Sequence, residues 1–157
     1  MRISAGLATL LLASCAAQPE ASAPQAASAT LDGCAALATR DFGQGMTIGE
    51  ATRVPAAAAG TPGEGPSANP SDLPAHCLVK GVINQRTGAG GRTYGIGFEL
   101  ALPADWSGRF LLMGGGGLNG SIRPPWGPVA AGTTPALARG FAVVSHDSGH
   151  TGAVFDA

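Results

Sequence analysis

Apolar positions along the chain gather into short runs separated by glycine and proline, and that spacing predicts strands rather than long helices. Residues 77–84 (CLVKGVIN) are rich in β-branched side chains, and residues 85–91 form a glycine-laden turn. Residues 93–102 (TYGIGFELAL) resume the extended pattern, and residues 103–108 turn it again. The two stretches predict an antiparallel hairpin. Residues 109–113 (RFLLM) are almost continuously apolar, which predicts a strand buried on both faces. Residues 114–128 read as loop, because Pro124 and Pro125 exclude a helix. Residues 133–139 (TTPALAR) predict a helix, with Thr133 at its start, Pro135 early and Gly140 just past its end. Residues 141–145 (FAVVS) predict a second buried strand. The order is hairpin, strand, loop, helix, strand. It implies an α/β chain with four strands, the last two forming a right-handed parallel βαβ unit.

The first fifteen residues follow a different pattern. Arg2 precedes an apolar run over residues 5–13 that is far too short to span a bilayer. The run ends in Leu12-Ala13-Ser14-Cys15, which is similar to the lipobox of bacterial lipoproteins and predicts cleavage before Cys15 with a lipid on its thiol. The competing reading is an ordinary secretory signal cut near Ala16 and Ala17. Both place the mature protein outside the cytoplasm. With Ala16 rather than an acidic residue after the cysteine, a lipidated form is expected at the outer membrane. Residues 16–30, mostly Ala, Ser, Pro and Gln, have no periodicity and read as a tether, leaving residues 31–157 as the folded part.

Composition narrows the function classes. The 157 residues are enough for one ordinary domain. A formal net charge of -1 excludes a basic nucleic-acid footprint and a polybasic membrane-surface segment. Hydrophobic residues at 45% with charged residues at 12% argue against wholesale disorder. With Cys15 set aside, Cys34 and Cys77 form an even pair in an oxidising compartment, and a disulfide between them would close a loop of about 40 residues. That loop includes residues 53–72, with four prolines. Two free thiols are the alternative. A zinc site is poorly supported, since His76 and Cys77 are adjacent and no C-x-x-C spacing exists.

The glycine-rich segment over residues 114–120 (GGGGLNG) follows a strand, and three uses compete for it. Gly115, Gly117 and Gly120 fit the dinucleotide fingerprint, but that fingerprint needs a helix at its last glycine, and Ser121-Ile122-Arg123-Pro124-Pro125 cannot begin one. A phosphate-binding P-loop needs a lysine, whereas Gly120 is followed directly by Ser121. The third use is an oxyanion hole, in which bare backbone N–H groups approach the oxygen of a reacting ester. The sequence His146-Asp147-Ser148-Gly149-His150 resembles a zinc-protease H-E-x-x-H with Asp for Glu. That motif works on a helix, and Gly149, Thr151 and Gly152 make a helix poor here. A self-contained Ser-His-Asp triad is equally poor, since neighbours along a strand point to opposite faces. Asp147 and His150 are instead expected to hydrogen-bond turn amides at the strand's C-terminal end, as a wall of the active-site crevice.

The segments FELALPADWSGRFLLMGGGGLNG and LARGFAVVSHDSGH together resemble the start of the tannase and feruloyl esterase family, which includes mono(2-hydroxyethyl) terephthalate hydrolases. The resemblance runs over roughly residues 34–155. It implies an α/β-hydrolase serine esterase acting on carboxylic esters of phenolic or aromatic acids, with Gly115, Gly116 and Gly117 as the oxyanion loop. It also maps the family's N-terminal disulfide onto Cys34 and Cys77. The family's nucleophile elbow, its triad acid and histidine, and its lid domain with a calcium site have no counterpart in these residues. The expectation is therefore an incomplete hydrolase fold, without triad or cofactor, that is inactive alone, its partners being a small aromatic ester and, through the lipid, a membrane. A non-catalytic outer-membrane lipoprotein module is the alternative.

Overall fold

The computed structural model describes residues 31–43, 45–61, 71–114, 119–127 and 134–151. The expectations for Cys15, the tether and Gly115, Gly116 and Gly117 lie outside the described residues. Five strands form one mixed sheet: β1 (Met46–Val54), β2 (His76–Thr87), β3 (Thr93–Pro103), β4 (Arg109–Met113) and β5 (Phe141–His146), in the order β1-β2-β3-β5-β4. Strands β1, β2 and β3 are an antiparallel meander, β5 lies antiparallel on β3, and β4 pairs parallel with β5. The hairpin and the parallel pair stand as the sequence predicts. The hairpin strands are longer than expected, and Gln85, Arg86 and Thr87 belong to β2 rather than to the turn.

The two faces of the sheet are covered differently. On one face Ala101 and Val143 are fully buried beneath Leu137 and Ala136, with Leu73, Leu111, Met113, Trp126 and Phe141 packed around them. On the other, Cys77 and Val79 pack with Cys34, Ile48, Ala51, Leu100 and Leu102. Two short 3-10 turns, Leu31–Gly33 and Ala35–Thr39, lie on this second face, and the Cys34–Cys77 disulfide anchors them to β2 with a Cα–Cα distance of 5.6 Å. The second face continues past this cover as an apolar groove of about 570 Å³, whose walls include Phe110, Leu112 and Val144. Among the described residues no helix is long and apolar enough to cross a membrane.

Three expectations are corrected. Strand β4 is not buried on both faces: Leu111 and Met113 pack inward, while Phe110 and Leu112 are each 60% exposed. The cause is position, since β4 is the sheet's edge and among the described residues its second face opens onto the groove. The helix expected over residues 133–139 is, in its described part, a single 3-10 turn at Leu137–Arg139. Here the Leu137 N–H, which a helix would keep to itself, donates to the Trp126 carbonyl at 2.8 Å. Pro135 has no N–H to offer, and Gly140 ends the turn in the left-handed conformation at φ 79°. Finally, β1 is a fifth strand that the pattern did not reveal. Its half-buried residues are Met46, Ile48, Ala51 and Val54, and a register shift between Ile48 and Glu50 breaks the two-residue period.

Candidate functional site

The C-terminal ends of the parallel strands β4 and β5 hold the polar side chains that the sequence singled out. Beyond His146 the chain makes a tight turn, in which Ser148 adopts φ 63° and Gly149 φ 80°. Asp147 builds that turn. The residue is 5% exposed, and its Oδ1 accepts the Gly149 N–H at 2.8 Å and the Gly97 N–H at 3.0 Å. The Asp147 N–H in turn donates to the Gly97 carbonyl at 3.1 Å. A buried carboxylate is tolerated where backbone N–H groups satisfy it, and these are charge-assisted bonds. Gly97 is needed for the fit, because a Cβ there would stand 2.7 Å from Asp147 Oδ2. One buried side chain thus fastens the turn to β3, the middle of the sheet.

Around this anchor lies a ring of polar contacts. The Ser148 N–H donates to His146 Nδ1 at 3.1 Å, so the neutral His146 ring carries its proton on Nε2. His150 Nδ1 lies 3.2 Å from the Asn119 carbonyl, which can only accept, so His150 carries its proton on Nδ1. Asn119 Nδ2 donates to the His146 carbonyl at 2.7 Å and reaches Ser148 Oγ at 3.4 Å. Further on, the Arg123 N–H donates to Ser145 Oγ at 3.1 Å. The chain leaving the glycine run is therefore fastened to the end of β5 at two points. At the other flank of the run, Gly114 directly follows β4.

Asp147 makes the hydrogen bond expected of it: it accepts from a turn amide, and from a strand amide as well. His150 differs, because its ring donates to a carbonyl instead of meeting a turn amide. The H-E-x-x-H reading lacks its helix, since His146 ends a strand and Gly149 lies in a turn. Among the described residues no group of three or more His, Cys, Asp or Glu side chains could hold a metal ion. Sequence reasoning missed Asn119 and Gly97, and it weighed Ser148 only as a triad member. Asn119 had one signal, an amide side chain at the exit of a glycine run.

Comparison with known proteins bears directly on this arrangement. The profile of the family described as "Tannase and feruloyl esterase" matches residues 77–157, which is half of the chain. The chain belongs to that family. The tannase and feruloyl esterase chain is 45% identical over 91 residues to the mono(2-hydroxyethyl) terephthalate hydrolase of Piscinibacter sakaiensis, a match covering 57% of this chain and 15% of that protein. It is 44% identical over 54 residues to a probable feruloyl esterase B-2 of Aspergillus flavus, covering 34% of this chain and 9% of that one. Among solved structures, feruloyl esterase B from Aspergillus oryzae superimposes with a TM-score of 0.57 at 26% identity, over 78% of this chain and 22% of the other. A second esterase from Aspergillus oryzae, 24% identical with a TM-score of 0.53, shares the fold over 78% of this chain and 23% of its own. The mixed sheet is thus part of an α/β-hydrolase fold in an ester-hydrolase family. The family segment in hand spans less than a quarter of the length of each of these relatives.

Proposed function

We propose that this chain is the N-terminal portion of an exported serine esterase acting on carboxylic esters of phenolic or aromatic acids. In this reading Gly115, Gly116 and Gly117 supply oxyanion donors, and the Ser/Asp/His triad lies outside these 157 residues. The observation that carries the reading is the fastening of both flanks of the glycine run at the C-terminal ends of two parallel strands, where open α/β sheets bind ligands. Attack of a serine oxygen on the ester carbonyl puts negative charge on the carbonyl oxygen. Backbone N–H groups without a Cβ beside them can approach that oxygen and stabilise the tetrahedral intermediate. Asp147 and His150 form the wall beside it. The names of the relatives, which include feruloyl and terephthalate esters, support an aromatic acid as the acyl part.

Turnover of an aryl ester is the test. The full-length protein is expected to hydrolyse esters of aromatic acids and to lose that activity to a serine-directed phosphonate. Mass mapping should then place the phosphonate on a serine beyond residue 157. The 157-residue chain alone is expected to show no turnover above background, because a serine hydrolase keeps little activity without its nucleophile and base. Phosphonate-sensitive turnover by the short chain would overturn the assignment of its parts. A full-length protein inert towards every aryl ester would overturn the reading itself.

Export and anchoring rest on Leu12 to Cys15. Expression in a Gram-negative host should yield a protein whose intact mass lacks residues 1–14 and carries a diacylglycerol on Cys15. A mature N-terminus beyond Cys15, without lipid, would leave export by an ordinary signal and remove the anchor.

A further inference from the structure

We propose that Asn119 and His150 are positioning residues for ester hydrolysis: together they clamp the point at which the chain returns from the glycine run. The inference rests on the oxyanion reading above and adds to it what aims the donors.

Asn119 is held at both of its hydrogen-bonding ends. Its side-chain amide donates to the carbonyl of His146, the last residue of β5, at 2.7 Å, and its own carbonyl accepts from His150 Nδ1 at 3.2 Å. His150 follows a turn that is itself fixed, because the buried Asp147 carboxylate binds Gly149 within the turn and Gly97 on β3. A continuous path of contacts therefore runs from the central strand through Asp147 and His150 to the backbone of Asn119. On the other side, Gly114 is aligned by the pairing of Met113 with Ser145.

The physical need for such a clamp is plain. Glycine has the widest conformational freedom of any residue, so a run of glycines does not fix the direction of its own N–H groups. An oxyanion donor must lie about 2.7–3.1 Å from the position of the developing charge, and a misplacement of about 1 Å can cost on the order of 10²-fold in rate. The aim has to come from the flanks. Asn119 suits this task because its side chain carries a donor where an aspartate would set a carboxylate against the His146 carbonyl.

The test uses the full-length protein and the chemistry of the donor atoms. His150→Asn keeps an N–H donor at the δ position, where Nδ1 now stands, whereas His150→Gln moves the donor one bond outward and His150→Ala removes it. The alanine and glutamine variants are expected to lower kcat by about 10- to 100-fold with KM held within about threefold. His150→Asn is expected to recover most of the lost kcat. Asn119→Asp, equal in size and lacking the donor, should show the same fall in kcat. Wild-type kcat in His150→Ala or Asn119→Asp would overturn the proposal. So would equal activity of the Asn and Gln variants, or a loss confined to KM. Gly116→Val in the same assay separates the two readings: if it keeps full turnover, the oxyanion assignment fails, and if it loses turnover while His150→Ala does not, the clamp alone fails.

Discussion

Turnover of an aromatic ester by the full-length protein is expected to fall by about 10²–10³ when Gly116 or Gly117 is replaced by valine, equal to roughly 2.7–4 kcal/mol of transition-state stabilisation. The argument is geometric. The donor that matters is a backbone N–H aimed at the position the oxyanion will occupy, and a branched side chain beside it holds the ester off or turns the amide away. The second donor in this reading is the N–H after the nucleophilic serine, so one donor remains and the loss should stay within that range. Because the interaction strengthens only as charge develops, the fall should appear in kcat more than in KM. Steady-state kinetics on a series of aryl esters, with the denaturation midpoint measured alongside, checks it. Near-wild-type turnover in both variants would mean that the glycine run reflects composition alone.

Loss of the Cys34–Cys77 bridge is expected to have the largest effect on stability. The two cysteines are separated by 43 residues, and in the chain-entropy model a loop of that size contributes about 4 kcal/mol by restricting the unfolded chain. Both cysteines are also buried, Cys34 and Cys77 at 3% exposure each, so their removal weakens the packing on Val79, Ile48 and Leu100 as well. The Cys34→Ala/Cys77→Ala variant should therefore unfold with a free energy lower by about 2–4 kcal/mol in denaturant titration. Reduction of the wild-type protein should give a similar loss. A double variant as stable as the oxidised protein would show that the bridge closes a loop already ordered by its own contacts. In that case the pairing of β1 along β2, the isolated pair Ala57 and Leu73, and the Ala59 N–H bond to Asp72 at 2.9 Å would be what orders it.

The elements legible in the sequence were those whose pattern depends on nearest neighbours. The β2–β3 hairpin was readable because its β-branched and aromatic residues are bounded by glycines and a proline. Strand β5 was readable because FAVVS is short, apolar and preceded by Gly140, whose left-handed conformation ends the turn before it. Strand β1 was not, because its bulge at Ile48 to Glu50 moves the inward positions out of alternation. The exposure of Phe110 and Leu112 was not readable either: RFLLM looks the same at a sheet's edge as at its centre, and only the strand order decides. For the site, Asp147 was accessible from sequence because an aspartate two residues before a glycine after a strand is a turn-former. Its bond to Gly97 joins residues 50 positions apart, and no local pattern encodes that. Asn119 and His150 meet across 31 positions, and that contact was hidden for the same reason although His150 itself stood out.

The strand order β1-β2-β3-β5-β4 has a further consequence, for the sequence in which the sheet is assembled. Strands β1 to β3 can zip together as soon as they emerge, since each pairs with its neighbour in sequence. Strand β4 has no such option: its partner is β5, and β5 must slot between β3 and β4. The free edge of β3 therefore waits for about 40 further residues to be delivered before its partner is at hand. A hairpin forms in microseconds, so the antiparallel part can close well ahead of that delivery. Through that interval β3 offers unpaired backbone groups to any other extended chain, and the pace at which residues 104–140 reach the compartment where the protein folds sets how long it runs that risk.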